Sequence, residues 1–279
     1  MKKLSILAIL LSICLISCVN LKELNSYSSN SLNAITKFED ISYSFRQHCL
    51  EKCQLDAIKK FEIKRDTGCK CASYATADSV TRLIYNSIRG YFDGLTNLSN
   101  NDLTTYSSDA LNSSLTTGNF GGIKIDSSEV AAYSKIAKII LKATTDLYRE
   151  KKLKKYIEEA NGPLQLLFTK FQFIESNLWR ELNLKKDDLF NSNKRLLEKN
   201  LTDYEKISIT KEYYQQLSDI LAKQQQITVF VKSIKAIADG HQKLYEKRNT
   251  LSEKDLKDAL KQYAGNIKEI SSEFNKLKK

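Results

Sequence analysis

The chain has 279 residues, a formal charge of +11, one proline and nine glycines. Average usage is about 5% proline and about 7% glycine, so composition argues against the turn-rich sandwiches and barrels of all-β proteins. An all-α fold is expected, and the length allows one large helical domain or two small ones with an ample core.

In chain order the first feature is Lys2-Lys3, followed by an apolar run from Leu4 to Ile16 that closes on Leu15-Ile16-Ser17-Cys18. The run is shorter than the roughly 20 apolar residues a spanning helix needs, and Asn20 and Lys22 end it. This start resembles the bacterial lipoprotein signal, in which an aliphatic residue, a small or aliphatic one, and then Gly, Ala or Ser precede the cysteine. The resemblance implies a signal peptide over residues 1–17, cleavage after Ser17, and lipidation of Cys18 by two or three fatty-acyl (palmitate-type) chains. It also implies a membrane of the cell envelope as the protein's location. Val19 stands where an inner-membrane retention signal has Asp, which leans toward the outer membrane. For an exported, tethered chain, anionic headgroups account for the basic charge, and nucleic acid is not an expected partner.

Residues 18–33 read as a lipidated N-terminus and polar tether, with helix beginning near Ile35. Over residues 34–96 the pattern predicts a helical hairpin. Its first arm carries Ile41, Phe45, Cys49, Cys53 and Ile58 at helical spacing to about Phe61. Arg65-Asp66-Thr67-Gly68 is a turn signal, and Ala77, Val80, Leu83, Ile84, Ile88 and Phe92 mark the second arm. Cys14 leaves with the signal, so Cys49, Cys53, Cys69 and Cys71 remain, an even number in an oxidising compartment. Bonds within either cysteine pair would be strained, and antiparallel arms favour the nested pairing of Cys53 with Cys69 and Cys49 with Cys71. A zinc site with His48 as a further ligand is the alternative, but Cys-Lys-Cys is too closely spaced for a usual zinc ligand pair.

Residues 97–127 are rich in Ser, Thr, Asn and Gly and far longer than the usual connection of about 4–6 residues. They read as a polar excursion between two halves, with a short helix over Leu103, Tyr106, Leu111 and Leu115 as an option. A binding loop is the functional alternative. Gly118 to Gly122 is too irregular for a phosphate loop.

Residues 128–279 read as a bundle of long helices with coiled-coil-like seams. One helix is expected over Val130, Tyr133, Ile136, Ile140, Ala143 and Leu147 to about Glu159. Asn161-Gly162-Pro163 is expected to stop it and start the next, which carries Leu167, Phe171, Ile174, Leu178 and Leu182. Thr202-Asp203-Tyr204-Glu205 is a capping box opening a helix to about Asn249. Its seam, Leu217, Ile220, Gln224, Ile227, Val231, Ile234, Ala238, His241 and Tyr245, keeps strict 3-4 spacing. A last helix opens at Ser252-Glu253-Lys254-Asp255, with a seam from Leu256 through Tyr263 to Leu277. The two helices are expected to pair as an antiparallel hairpin, with Tyr263 offered to the polar seam residues Gln224 and His241.

No catalytic fingerprint, metal motif or cofactor motif appears. The carboxylate pairs Asp187-Asp188 and Glu158-Glu159 are adjacent, so they diverge on a helix. The basic run Arg149 to Lys155 is expected near a helix C-terminus, where it complements the macrodipole. The sequence thus points to a lipid-anchored, non-enzymatic scaffold or binding protein with a protein partner in the envelope. It leaves oligomeric state open. The alternative is a membrane-active helical protein that inserts apolar helix faces into lipid, and a hydrolase of envelope polymer is a third class.

Overall fold

The computed structural model describes residues 21–63, 68–100, 113–143, 149–251 and 253–277. The expected signal and lipid site, Arg65 to Thr67, Leu103 to Leu111, Leu147 and Ser252 lie outside them. The described residues form an all-α bundle of seven α-helices with one short β-hairpin. The helices are α1 (Lys22–Thr36), α2 (Phe45–Lys59), α3 (Ala72–Ser99), α4 (Ser127–Ala143), α5 (Arg149–Leu197), α6 (Asp203–Glu246) and α7 (Lys254–Lys276). A 3-10 turn, Lys37–Asp40, follows α1.

The tether expected through Asn33 is instead helix α1, which packs between α3 and α7. Its polar composition is compatible with burial because the serines satisfy themselves. Ser31 Oγ donates to the Tyr27 carbonyl at 2.7 Å and Ser28 Oγ to Asn25 at 3.1 Å. Asn25 and Asn30 donate outward, to the Thr96 and Ala264 carbonyls, and so staple α1 to α3 and α7. Small side chains also let α1 approach closely. Tyr27 donates to the Ile237 carbonyl of α6 at 2.7 Å and lies where a side chain at Gly240 would stand.

The segment after α3 is not an excursion over residues 113–127. Strands β1 (Gly118–Phe120) and β2 (Ile123–Ile125) pair antiparallel about Gly121-Gly122, both at positive φ. Gly121 sits against the Tyr74 backbone, where a Cβ would come within 3.0 Å of the Cα. Leu115, Ile123 and Ile125 are buried, and Lys170 ties the hairpin down by bonding the Lys124 carbonyl and Glu129. Buried side chains from both sides of this segment belong to one contiguous core.

Asn161-Gly162-Pro163 does not break the chain either: α5 runs through it for 49 residues. Pro163 leaves the carbonyl four residues earlier without its donor, a cost of about 3 kcal/mol inside a helix. Ile157, Ala160, Leu164, Leu167 and Phe168, all fully buried around that point, offset it. The basic run Arg149 to Lys155 therefore opens a helix rather than closing one.

Helices α5 and α6 are antiparallel at constant register. Asn161 meets Gln242, Gln165 meets Ala238 and Phe190 meets Tyr213, so equal steps up one helix match equal steps down the other. The capping box at Thr202 and Glu205 is formed as the sequence indicates. The proximal half of α6 is buried on several faces, among α1, α5 and α7. Its polar residue His241 does not use Tyr263. Imidazole Nε2 lies 2.7 Å from the Tyr91 hydroxyl and Nδ1 2.9 Å from Asn161 Oδ1, joining α6 to α3 and α5. Gln224 Nε2 is buried without a partner, contrary to the seam expectation.

Burial drives the pKa of His241 down to about 3, so the neutral ring donates from Nδ1 to Asn161 and accepts from Tyr91. Glu175 on α5 has the opposite problem. It is fully buried with no partner for either oxygen, and burial, with Asp78 nearby, pushes its pKa up to about 8.

Three substitutions test this packing. Gly240→Ala should lower stability by about 1–3 kcal/mol, because crowding against Tyr27 outweighs the roughly 1 kcal/mol of helix propensity gained. His241 has a folded pKa below its unfolded value of about 6.5, so its contribution is present above that value and lost as pH falls. Between pH 7 and pH 5 that contribution falls by about 2 kcal/mol, read in urea melts as the difference in pH response between the parent and His241→Gln, because Glu175 acts in the opposite direction in both. Glu175 has a folded pKa above its unfolded value, so stability falls as pH rises between the two. Glu175→Gln should be more stable than the parent, by a margin growing about 1.4 kcal/mol per pH unit across that window.

Candidate functional site

The cysteines build the site by fixing α2. Cys49 bonds Cys71 and Cys53 bonds Cys69, with Cα separations of 5.9 and 6.0 Å, the nested pairing that antiparallel arms favour. Cys49 and Cys53 are one turn apart on α2, so both bonds act on one face of the helix and clip it to the start of α3. Asp78 of α3 holds the other end. Its two oxygens accept from the backbone amides of Phe45 and Arg46 at 2.8 and 3.1 Å, satisfying orphan donors at the helix start. Ser44 caps the same end by accepting from Gln47. The chain forms this helix only from Phe45, because Ile41 follows the 3-10 turn in extended conformation.

Held in this way, α2 faces α5 and α6 across a groove of about 200 Å³. Its apolar lining is Leu55, Ile58, Leu184 and Leu189, and its polar lining includes His48, Glu51, Glu181 and Lys185. Lys185 donates to Glu51 at 2.7 Å and Gln47 donates to the same carboxylate at 3.0 Å. Lys59 and Asp188 pair at 3.5 Å further along the groove. Glu51 is held below the usual carboxylate range: burial raises it, but the bonds from Lys185, Gln47 and Tyr43 outweigh that.

His48 lies between α2 and α5, with Nε2 3.1 Å from Glu181 and Nδ1 3.3 Å from the Tyr43 hydroxyl. Burial lowers its pKa more than Glu181 raises it, so the contact with Glu181 is a hydrogen bond from a neutral ring rather than an ion pair. Tyr43 has one proton and two acceptors, since Glu51 also stands 3.1 Å from its hydroxyl. The hydroxyl donates to Glu51, the nearer acceptor and the charged one.

These groups are saturated with one another, which suits a shaped, charged wall. A cavity of about 200 Å³ is below the roughly 300–1,000 Å³ typical of small-molecule sites and admits one or two side chains of another protein. The four cysteines that were candidates for metal are engaged in disulfides. Among the described residues no group of three or more His, Cys, Asp or Glu is placed to hold a metal ion, and no helix is long and apolar enough to cross a membrane. The sequence pattern identified the cysteines but not Tyr43, Glu51, Glu181 or Lys185, whose juxtaposition depends on how α2 docks. No protein-family model, curated protein or solved structure matches the chain.

The clip predicts its own removal. Each disulfide closes a loop of moderate length, worth about 3 kcal/mol in the chain-entropy model. Reduction should lower the melting temperature and expose the groove face of α5, measured as faster amide exchange over residues 45–59 and 181–189. Unchanged exchange there would mean that packing alone holds α2.

Proposed function

We propose that this chain is a lipid-anchored, non-enzymatic binding protein of the bacterial cell envelope, which offers the α2–α5–α6 groove to a protein partner. The lipobox-like Leu15-Ile16-Ser17-Cys18 carries the location, and the clipped groove carries the role. Two disulfides at one helix suit an oxidising compartment beyond the cytoplasm. An apolar strip flanked by paired charges of both signs suits an amphipathic segment, whose apolar side chains would enter between Leu55 and Leu184. The antiparallel α5–α6 pair, continued by α7, then acts as a stalk of long helices with seam-like packing that carries the groove away from the lipid. Alone, α6 spans about 66 Å at 1.5 Å per residue for its 44 residues.

The test of the anchor is Cys18→Ala in the full chain. The variant should lose metabolic labelling by an alkynyl fatty acid and accumulate as uncleaved precursor. Normal maturation with retained membrane attachment would refute lipid anchoring. Groove recognition is tested separately: Leu184→Asp, at an exposed position, should keep the helical spectrum and melting temperature while abolishing co-purification of the partner obtained with the parent.

A further inference from the structure

The distal half of the α5–α6 hairpin is covered on one side only. Helix α2 lies against the face of α5 that carries Glu181, Lys185 and Asp188. At 100° per residue, Phe190 and Leu197 point to the opposite face of α5. On α6 the covered side carries Gln216 and Lys223, the latter 5.3 Å from the Tyr43 ring. Ile207, Tyr214 and Leu221, spaced by seven, form a stripe on the other side. A chain of ring contacts from Phe190 to Tyr213 and on to Tyr214 places the two stripes side by side. Helix α7 does not reach them: near its C-terminal end Glu273 pairs with Lys232, beyond the stripe.

This face is apolar and open. Ile207 is 68% exposed and Tyr214 62%, and Phe190, Leu197 and Leu221 are exposed as well. Among the described residues, most of the exposed large apolar side chains fall on α2's C-terminal end or on this distal hairpin. A contiguous patch of that kind marks an interaction surface rather than scattered surface noise.

We infer that the occupant is a second copy of this chain, packed face to face through the α5–α6 hairpins as a two-fold dimer. Charge is the first argument. Within a quarter-turn of the two stripes stand Lys186, Lys194, Lys206 and Lys211 against Asp187, Glu198 and Asp203, nearly balanced in a chain that is +11 overall. A surface meant for anionic lipid would concentrate the excess lysine, whereas a nearly neutral, mixed-sign surface meets its own copy without repulsion. Geometry is the second. Tyr214 lies midway between Ile207 and Leu221, so an antiparallel two-fold axis through Tyr214 sets each Ile207 against the partner's Leu221 with no gap in register. Size is the third. The stripe from Tyr204 to Leu221 is about 26 Å long and two helices of about 10 Å wide, so two copies bury on the order of 1,000 Å², the minimum for a specific interface. This face is opposite the groove, so dimerisation leaves the groove open, and the inference does not depend on how the chain is anchored.

The experiment is photo-crosslinking of the full chain in intact cells, with a benzophenone amino acid in place of Tyr214. The expected product has twice the mass of the chain, and mass spectrometry should locate the bond within residues 207–221 of the second copy. The same amino acid in place of Glu212, which is exposed and lies about 160° around α6 from Tyr214, should give no such product. Ile207→Asp should cut the yield at least tenfold while leaving the helical spectrum and melting temperature unchanged, since Ile207 supports nothing within its own chain. A bond to a different polypeptide, a bond to lipid, or no product at position 214 overturns the inference, as does a yield that survives Ile207→Asp.

Discussion

The structure depends on the close approach of Tyr27 to α6 at Gly240. One hydrogen bond, Tyr27 to the Ile237 carbonyl at 2.7 Å, and one missing side chain let α1 lie in the groove between α7 and α3. That contact joins the first helix among the described residues to the last two. One turn away, His241 repeats the device in polar form, bridging Tyr91 of α3 and Asn161 of α5. Each bond has one geometry, and a buried polar group left unmet costs about 1–3 kcal/mol, so together they select one helix arrangement among the many an apolar core would tolerate.

From that centre the hairpin of α5 and α6 extends in a regular register, and what covers it changes along its length. The proximal half is enclosed by α1, α3, α4 and α7. The distal half has only α2, and α2 is too short and too poor in apolar residues to dock on packing alone: only Phe45 and His48 of its fifteen residues are buried. Two disulfides, the Asp78 cap and the paired charges of the groove supply what burial does not. The groove thus exists because a weakly packed helix is held in place covalently, and its charged wall is the means by which that helix meets α5.

Buried ionisable groups set opposing pH responses in the same core. His241 is neutral and fully bonded, which favours neutral and alkaline conditions. Glu175, protonated for want of a partner, favours acid. Neither lines the groove, so acid stability and the geometry of the groove are separable. The second open face, with Ile207 and Tyr214, is distinct again: its side chains are exposed while the seam beside it, Ile220 and Ile227, is buried.

Much of this was legible in the residues themselves. Scarce proline and glycine determined the helical class, because helices need few turns. The Thr202–Glu205 box determined where α6 begins, because capping is local. The spacing of Cys49, Cys53, Cys69 and Cys71 determined the nested pairing, because two residues a turn apart on one arm can reach only an antiparallel partner in that order. The tertiary structure decided what depends on neighbours distant in sequence. Residues through Asn33 look like a polar tether, yet from Lys22 they form a helix with a buried face, because serines can bond their own helix and asparagines can reach another. Pro163 looks like a helix break, yet α5 continues, because the core on both sides outweighs one lost hydrogen bond. His241 looks like a partner for Tyr263, but its partners lie on α3 and α5, because helical period specifies which face a residue takes and not which of several surrounding helices that face meets.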